Sequence, residues 1–122
     1  VFCTAHDQMG KDVLAGLLRA LGEDKAARVR VAVVEALGGM AVDPVIVLPD
    51  EAMPALEAAL ASDPEDEVRR HVMWLLGEVK HARLREWALP LVVRAVSEDP
   101  SATVRTDAIE ALARLTAAAQ AK

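Results

Sequence analysis

The sequence predicts an all-α fold built from stacked, similar helix pairs, and three observations support that prediction. A pattern of Asp, four residues, Val-Arg and an apolar residue eight positions after the Val occurs three times, beginning at Asp24, Asp63 and Asp99. The copies start 39 and 36 residues apart, a period typical of repeat proteins whose units cannot bury their apolar face alone. The composition is 53% hydrophobic but only 2% aromatic, which suits closely packed helices better than strands.

Each copy is predicted to contain two helices, A and B, joined by a short turn. The predicted A helices span residues 12–21, 51–61 and 84–97, and the predicted B helices span residues 25–38, 64–80 and 100–116. In each B helix, counting from the Val of the pattern, positions 0, 4, 7, 8 and 11 are apolar and share one face. We expect that face to form the core. Position 5, which is also apolar, is predicted to pack on a neighbouring unit.

The start of each B helix is predicted from its aspartate. Asp24, Asp63 and Asp99 lie where the first N–H groups of a helix need an acceptor, so we expect them to be N-caps. Pro64 and Pro100 follow directly, at the first helical position, where a missing N–H costs nothing.

Two prolines occupy equivalent positions in the second and third A helices, Pro54 and Pro90. Proline inside a helix removes a backbone hydrogen bond, so the pair predicts either a bend or a late helix start. The segment 38–49 contains two Gly and two Pro, which predicts a protruding loop between the first and second units.

These patterns divide the chain into residues 1–11, an N-terminal extension or the remnant of a preceding repeat, three repeats over residues 12–116 and a C-terminal tail over residues 117–122. The repeats are predicted to span residues 12–40, 50–80 and 83–116. Because 122 residues make one domain at most, we expect a single stack.

Charge and motif content exclude several function classes. The net charge of −5 and pI of about 5.1 disfavour nucleic acids and anionic membranes as partners. The single cysteine cannot form an internal disulfide, which favours the cytoplasm. The sequence has no phosphate-binding loop and no nucleophile motif, so we expect no enzyme and no cofactor. Cys3 and His6 supply only two of the four ligands of a structural zinc site, so no metal is predicted.

Two stretches of the chain are MPALEAALASDPEDEVRRHVMWLLGEV, at residues 53–79, and LPLVVRAVSEDPSATVRTDAIEALARL, at residues 89–115. They resemble HEAT repeats, of the short bacterial kind also found in phycobilin lyases. The resemblance covers about residues 12–116 and implies an α-solenoid, a right-handed superhelix of three helix pairs. The first unit departs from the pattern, with Ala15 at the proline position and Lys25 after Asp24.

The resemblance also implies roles for the repeated Asp and Arg residues. In the family, these side chains form a ladder of hydrogen bonds between adjacent units. The positions of this chain that match the ladder are Asp24, Arg30, Asp63, Arg69, Asp99 and Arg105.

In such stacks the B helices line the concave side, so positions 2, 6 and 10 are expected to face a groove. Trp74 is the predicted anchor for a partner, because Trp and Arg often dominate binding energy. The alternative for Trp74 is that its ring folds back over the adjacent helix or fills the seam of a helix pair. The predicted partner-binding residues are Val31, Glu35, Arg70, Trp74, Glu78, Thr106, Glu110 and Arg114.

The leading functional hypothesis is a non-catalytic scaffold that binds another protein or peptide, neutral or basic in charge. One alternative is a ligand-handling or enzyme-associated domain, as in tetrapyrrole lyases; a weaker one is a nucleic-acid-binding HEAT-like domain. A further alternative is a segment of a longer array whose end helices, if left uncovered, associate end to end.

Overall fold

The computed structural model describes residues 2–42 and 48–120, which form six α-helices and no strand. Side chains are described over residues 10–42 and 48–117. The all-α prediction is confirmed. Of the predicted loop at 38–49, residues 38–41 are helical instead, and residues 43–47 lie outside the described residues. The helices are α1 (Phe2–Glu23), α2 (Ala27–Ala41), α3 (Ala52–Ser62), α4 (Asp66–Glu78), α5 (Ala82–Glu98) and α6 (Ala102–Gln120).

The helices pack as an α-solenoid of three pairs: unit 1 (α1, α2), unit 2 (α3, α4) and unit 3 (α5, α6). The second helices, α2, α4 and α6, lie side by side and form the B layer. The first helices form the A layer, in which α1 packs on α3. Residues 2–11 are part of α1, and residues 117–120 are part of α6.

The core lies between the two layers and is most complete in unit 2. The predicted inward positions of α4 are all at most 2% exposed: Val68, Val72, Leu75, Leu76 and Val79. At position 5, Val34 and Met73 are fully buried. Burying one such side chain contributes about 1.5–3 kcal/mol, so this packing is the main favourable term.

Unit 1 departs from the predicted core at two positions. Val29 is 36% exposed and Ala36 is exposed, although both were expected to face inward. The equivalent residues of α6, Val104 and Ala111, are fully buried. Position 0 and position 7 therefore need a preceding unit to cover them, and the periodicity of one helix does not show this.

The prediction that the aspartates are N-caps of the B helices is wrong. The B helices begin three residues after each aspartate, and the N-caps of α2 and α4 are Ala26 and Glu65, whose side chains make no capping bond. Asp63 and Asp99 are the C-caps of α3 and α5. Each aspartate carboxylate accepts the N–H two residues ahead, at 2.9–3.0 Å, and so closes the turn between the two helices of its unit.

The four prolines also differ from expectation. Pro64 and Pro100 lie in turns, two residues before α4 and α6 begin, so the prediction that they open the helices is wrong. Pro54 is the third residue of α3, where its missing N–H is tolerated, whereas Pro90 lies inside α5. The same repeat position thus gives a late helix start in unit 2 and an interior proline in unit 3.

Arg30 joins unit 1 to unit 2. Its Nε donates to Asp63 Oδ2 at 2.7 Å and its Nη2 donates to Asp63 Oδ1 at 3.0 Å. Its Nη1 donates to the backbone carbonyl of Asp24, in its own unit, at 2.7 Å. The hydrogen bond to Asp63 raises the pKa of Arg30 above its ordinary value, although burial opposes the shift.

Arg69 repeats this geometry between units 2 and 3. Its Nε and Nη2 donate to the carboxylate of Asp99 at 3.0 and 3.2 Å, and its Nη1 donates to the carbonyl of Asp63 at 2.7 Å. We call each such two-pronged pair an Arg–Asp rung, and the side chains in both rungs are at most 9% exposed. Arg105 donates only to the Asp99 carbonyl, at 2.7 Å, and no carboxylate among the described residues pairs with it.

Arg69→Met should destabilise the protein by about 3–5 kcal/mol, because it leaves the buried Asp99 carboxylate without its cation. Arg105→Met is the matched control at the same repeat position, and it should cost only about 1 kcal/mol, the value of one hydrogen bond. Urea unfolding followed by circular dichroism measures both. An equal loss of unfolding free energy in the two variants would show that the pair with the carboxylate adds nothing to the hydrogen bond that both arginines donate to a backbone carbonyl.

Gly77→Ala should also destabilise the fold, because Gly77 allows α4 and α6 to approach closely. A Cβ at residue 77 would lie 2.9 Å from Ala111 Cβ and 3.1 Å from Ala111 Cα, which is backbone and cannot rotate away. We expect a loss of about 1–3 kcal/mol from this overpacking. The control is Gly16→Ala in α1, where a Cβ meets nothing within 4 Å and helix propensity should add about 1 kcal/mol. The midpoint of thermal unfolding should therefore fall in Gly77→Ala and rise in Gly16→Ala.

Candidate functional site

A groove of about 740 Å³ crosses the B layer over α4, between α2 and α6. We call it the B-layer groove. It is open to solvent and lies on the surface where the sequence predicted a partner. Its lining residues are Glu35, Asp66, Glu67, Arg70, His71, Trp74, Asp107, Glu110 and Arg114.

Trp74 is the large apolar surface of this groove. Its side chain is 44% exposed, so one part of the indole faces solvent. The other part lies on Gly38 of α2, where a Cβ would be only 2.6 Å from Trp74 Cζ3. The ring therefore does fold back over the adjacent helix, as the alternative held, and it still presents a wide exposed surface.

The charges of the B-layer groove are predominantly negative. Five carboxylates line it, against two guanidinium groups. Both arginines are engaged by acids, because Arg70 Nε pairs with Asp107 at 3.0 Å and Arg114 Nε pairs with Glu78 at 3.4 Å. The hydrogen bond that Arg70 donates to Asp107 raises the pKa of Arg70 above its ordinary value. The remaining acids leave the groove with a negative surplus.

Several contacts between units hold the walls of the groove. His71 Nδ1 lies 2.8 Å from the carbonyl of Glu67, and its Nε2 lies 4.0 Å from Glu35 of unit 1. Ser101 of unit 3 donates to Asp66 at 3.0 Å. Together with the Arg70–Asp107 pair, these contacts connect all three units around Trp74.

The structure brings five of the eight predicted partner-binding residues into this groove: Glu35, Arg70, Trp74, Glu110 and Arg114. Glu78 lies beside it and holds Arg114. Thr106 is exposed, but its hydroxyl donates to the carbonyl of Ala102. Val31 is only 8% exposed, so the prediction that it faces a groove is wrong. In unit 1, position 2 belongs to the core.

Sequence reasoning missed four lining residues: Asp66, Glu67, His71 and Asp107. Asp66 precedes Arg70 by four positions and Arg70 precedes Trp74 by four, so the three form one row along α4. That spacing was a signal for Asp66. Asp107 had no such signal, because it enters the groove by pairing with Arg70 of the neighbouring unit.

A second groove, of about 560 Å³, lies in the A layer between α3 and α5. Its walls include Ala58, Leu91 and Arg94, with Glu57 and Glu98 at its edges. Trp87 of α5 donates from Nε1 to Glu57 Oε2 at 2.6 Å, which links unit 3 to unit 2. The A-layer groove contains no aromatic side chain.

In the part of the chain that the structure describes, no three His, Cys, Asp or Glu residues are grouped so as to hold a metal ion. The side chains of Cys3 and His6 lie outside it. No helix of the described residues has the length and apolar composition needed to cross a bilayer.

Comparison with known proteins gives one result on the family. Neither the curated proteins nor the solved structures include a significant match to this chain. The sequence model of the HEAT repeats family matches residues 53–122, more than half of the chain and all of units 2 and 3 apart from the first residue of α3. The match and the six-helix stack agree, and the chain belongs to the HEAT repeat family.

Proposed function

We propose that this chain is a non-catalytic interaction module that binds a neutral or basic segment of a partner protein in the B-layer groove. HEAT repeats generally mediate protein–protein interaction, which supports the class of function. The choice of surface, of partner charge and of anchor rests on the groove itself.

The observation that carries the proposal is the position of Trp74. An indole that is 44% exposed on the central helix of a groove offers a flat apolar surface with a polar edge. Its ring already rests on Gly38, so binding need not order it. A side chain that is fixed before binding loses little entropy when the partner arrives.

The charge of the groove supports a neutral or basic partner. Glu35, Glu67 and Glu110 line the same groove as Trp74, while both groove arginines are already paired within the protein. A Lys or Arg of the partner placed over the indole would gain a cation–π contact and face these acids. The same surplus of acid disfavours the phosphate backbone of a nucleic acid.

Capture of partners from native cell extract tests the proposal. We expect the protein captured by wild type to be lost with Trp74→Ala and with Glu110→Lys, because these remove the anchor and invert a groove charge. Truncation of an interface anchor typically costs about 2 kcal/mol or more, roughly a thirtyfold loss in affinity. Titration of the captured partner against each purified variant measures that loss.

Glu86→Lys is the matched control for Glu110→Lys. Glu86 is an exposed glutamate of α5 outside both grooves, so the variant carries the same change of net charge. It should bind as wild type does. If Glu86→Lys and Glu110→Lys weaken binding equally, the partner responds to overall charge. If Trp74→Ala binds normally, the proposed site is wrong.

Gly38→Ala should displace the Trp74 ring, because the new Cβ would lie 2.6 Å from Cζ3. In a Trp87→Phe background, Trp74 emission should shift to longer wavelength as the ring turns towards water, and affinity for the captured partner should fall. Gly39→Ala is the adjacent control, since a Cβ at residue 39 meets nothing within 4 Å. An unshifted emission spectrum in Gly38→Ala would contradict the described position of the Trp74 ring against Gly38.

A further inference from the structure

Each end of the stack exposes apolar residues whose repeat equivalents are buried against a neighbouring unit. The two ends also carry opposite charges, from Arg105 at one end and Asp24 at the other. At position 5, Val34 and Met73 are fully buried by the next unit, but Ile109 is 57% exposed. At position 0, Val68 and Val104 are fully buried, but Val29 is 36% exposed. Ile109 of unit 3 and Val29 of unit 1 thus expose apolar surface that an adjacent unit covers at the equivalent positions of the stack.

The A helices also expose apolar residues at the two ends of the stack. Glu57 of α3 accepts a hydrogen bond from Trp87 of the following unit, and its repeat equivalent in α5 is Val93, which is 52% exposed. Val13 of α1 is 58% exposed, whereas its repeat equivalents Ala52 and Ala88 are fully buried. We define the C-terminal end face by Val93, Arg105 and Ile109, and the N-terminal end face by Val13, Asp24 and Val29.

The two end faces carry the two halves of one Arg–Asp rung. Arg105 donates Nη1 to the Asp99 carbonyl, as Arg69 does to Asp63, and no described carboxylate pairs with its Nε and Nη2. The Asp24 carboxylate accepts the N–H of Ala26, as Asp63 accepts that of Glu65, and no described arginine side chain pairs with it. Arg105 and Asp24 therefore each make the contact within their own unit that a complete rung has. Among the described residues, neither makes the arginine–carboxylate contact between units.

From these observations we propose that the C-terminal end face of one copy docks on the N-terminal end face of a second copy, with Arg105 of the first paired to Asp24 of the second. The occupant is a second copy because this chain itself supplies both halves, with opposite charges and matching apolar residues. The contact joins different surfaces, so it adds copies head to tail and extends the stack as an open series. This proposal does not depend on a partner in the B-layer groove.

Charge exchange in sedimentation velocity tests the pairing. Wild type should show a weight-average mass that rises above 13.0 kDa as concentration increases. Arg105→Asp and Asp24→Arg should each remain at the monomer mass, because each variant presents like charges at both halves of the contact. An equimolar mixture of the two variants should associate again, since Asp at 105 meets Arg at 24 and the native pair forms at the other end.

Two controls carry the same changes of charge away from the end faces. Arg94→Asp and Glu98→Arg alter residues of the A-layer groove and should associate as wild type does. Trp74→Ala should also associate, which separates end docking from contacts through the B-layer groove. Circular dichroism verifies that each variant keeps its helices.

Ile109→Glu provides a second variant that disturbs no hydrogen bond, because this exposed side chain contributes only apolar surface. It should also stay monomeric. Wild type that remains at 13.0 kDa over the whole series would overturn the proposal, and the end faces would then belong to other occupants. Association that persists in Arg105→Asp, or a mixture that fails to recover it, would overturn the pairing of Arg105 with Asp24.

Discussion

The Arg–Asp rung is the constraint on which the arrangement of units depends. One arginine donates to the backbone carbonyl of the turn in its own unit, and it also makes two hydrogen bonds to the aspartate carboxylate in the turn of the next unit. These bonds set the distance between successive turns at each junction. Buried ion pairs contribute little net energy compared with apolar packing, but their geometry is directional. Burial of residues such as Met73 supplies the energy of the junction, and the rung supplies its register.

The B-layer groove is a consequence of that register. Arg70 reaches Asp107 and Ser101 reaches Asp66 because α4 and α6 lie at a fixed offset, with Gly77 allowing close approach at Ala111. Trp74 then rests on Gly38 of the preceding unit while its free surface faces the groove. Two glycines without any polar function thus position the most prominent side chain of the candidate site. The site is a property of three neighbouring units and of no unit alone.

The end faces follow from the same rule. Each unit buries one flank against its predecessor and the other against its successor, so a stack of any length ends in two unlike surfaces. Here these surfaces keep the residues of the internal junctions, including one half of a rung each. None of the six residues that define the end faces lines the B-layer groove.

Local pattern was sufficient to predict the helix pairs and the inward face of α4, because these depend on spacing along one helix. It failed where a second unit takes part. Val31 and Ala36 occupy repeat positions whose exposure depends on neighbours, and the aspartates were assigned to helix starts because a cap is the commonest local role of Asp. The carboxylates of Asp63 and Asp99 accept from arginines 33 and 30 residues away, beyond the range of local spacing. Contacts between units therefore decided which side chains are exposed. In a periodic sequence, equivalent positions carry similar residues whether or not a neighbouring unit covers them, so the sequence alone does not show the difference.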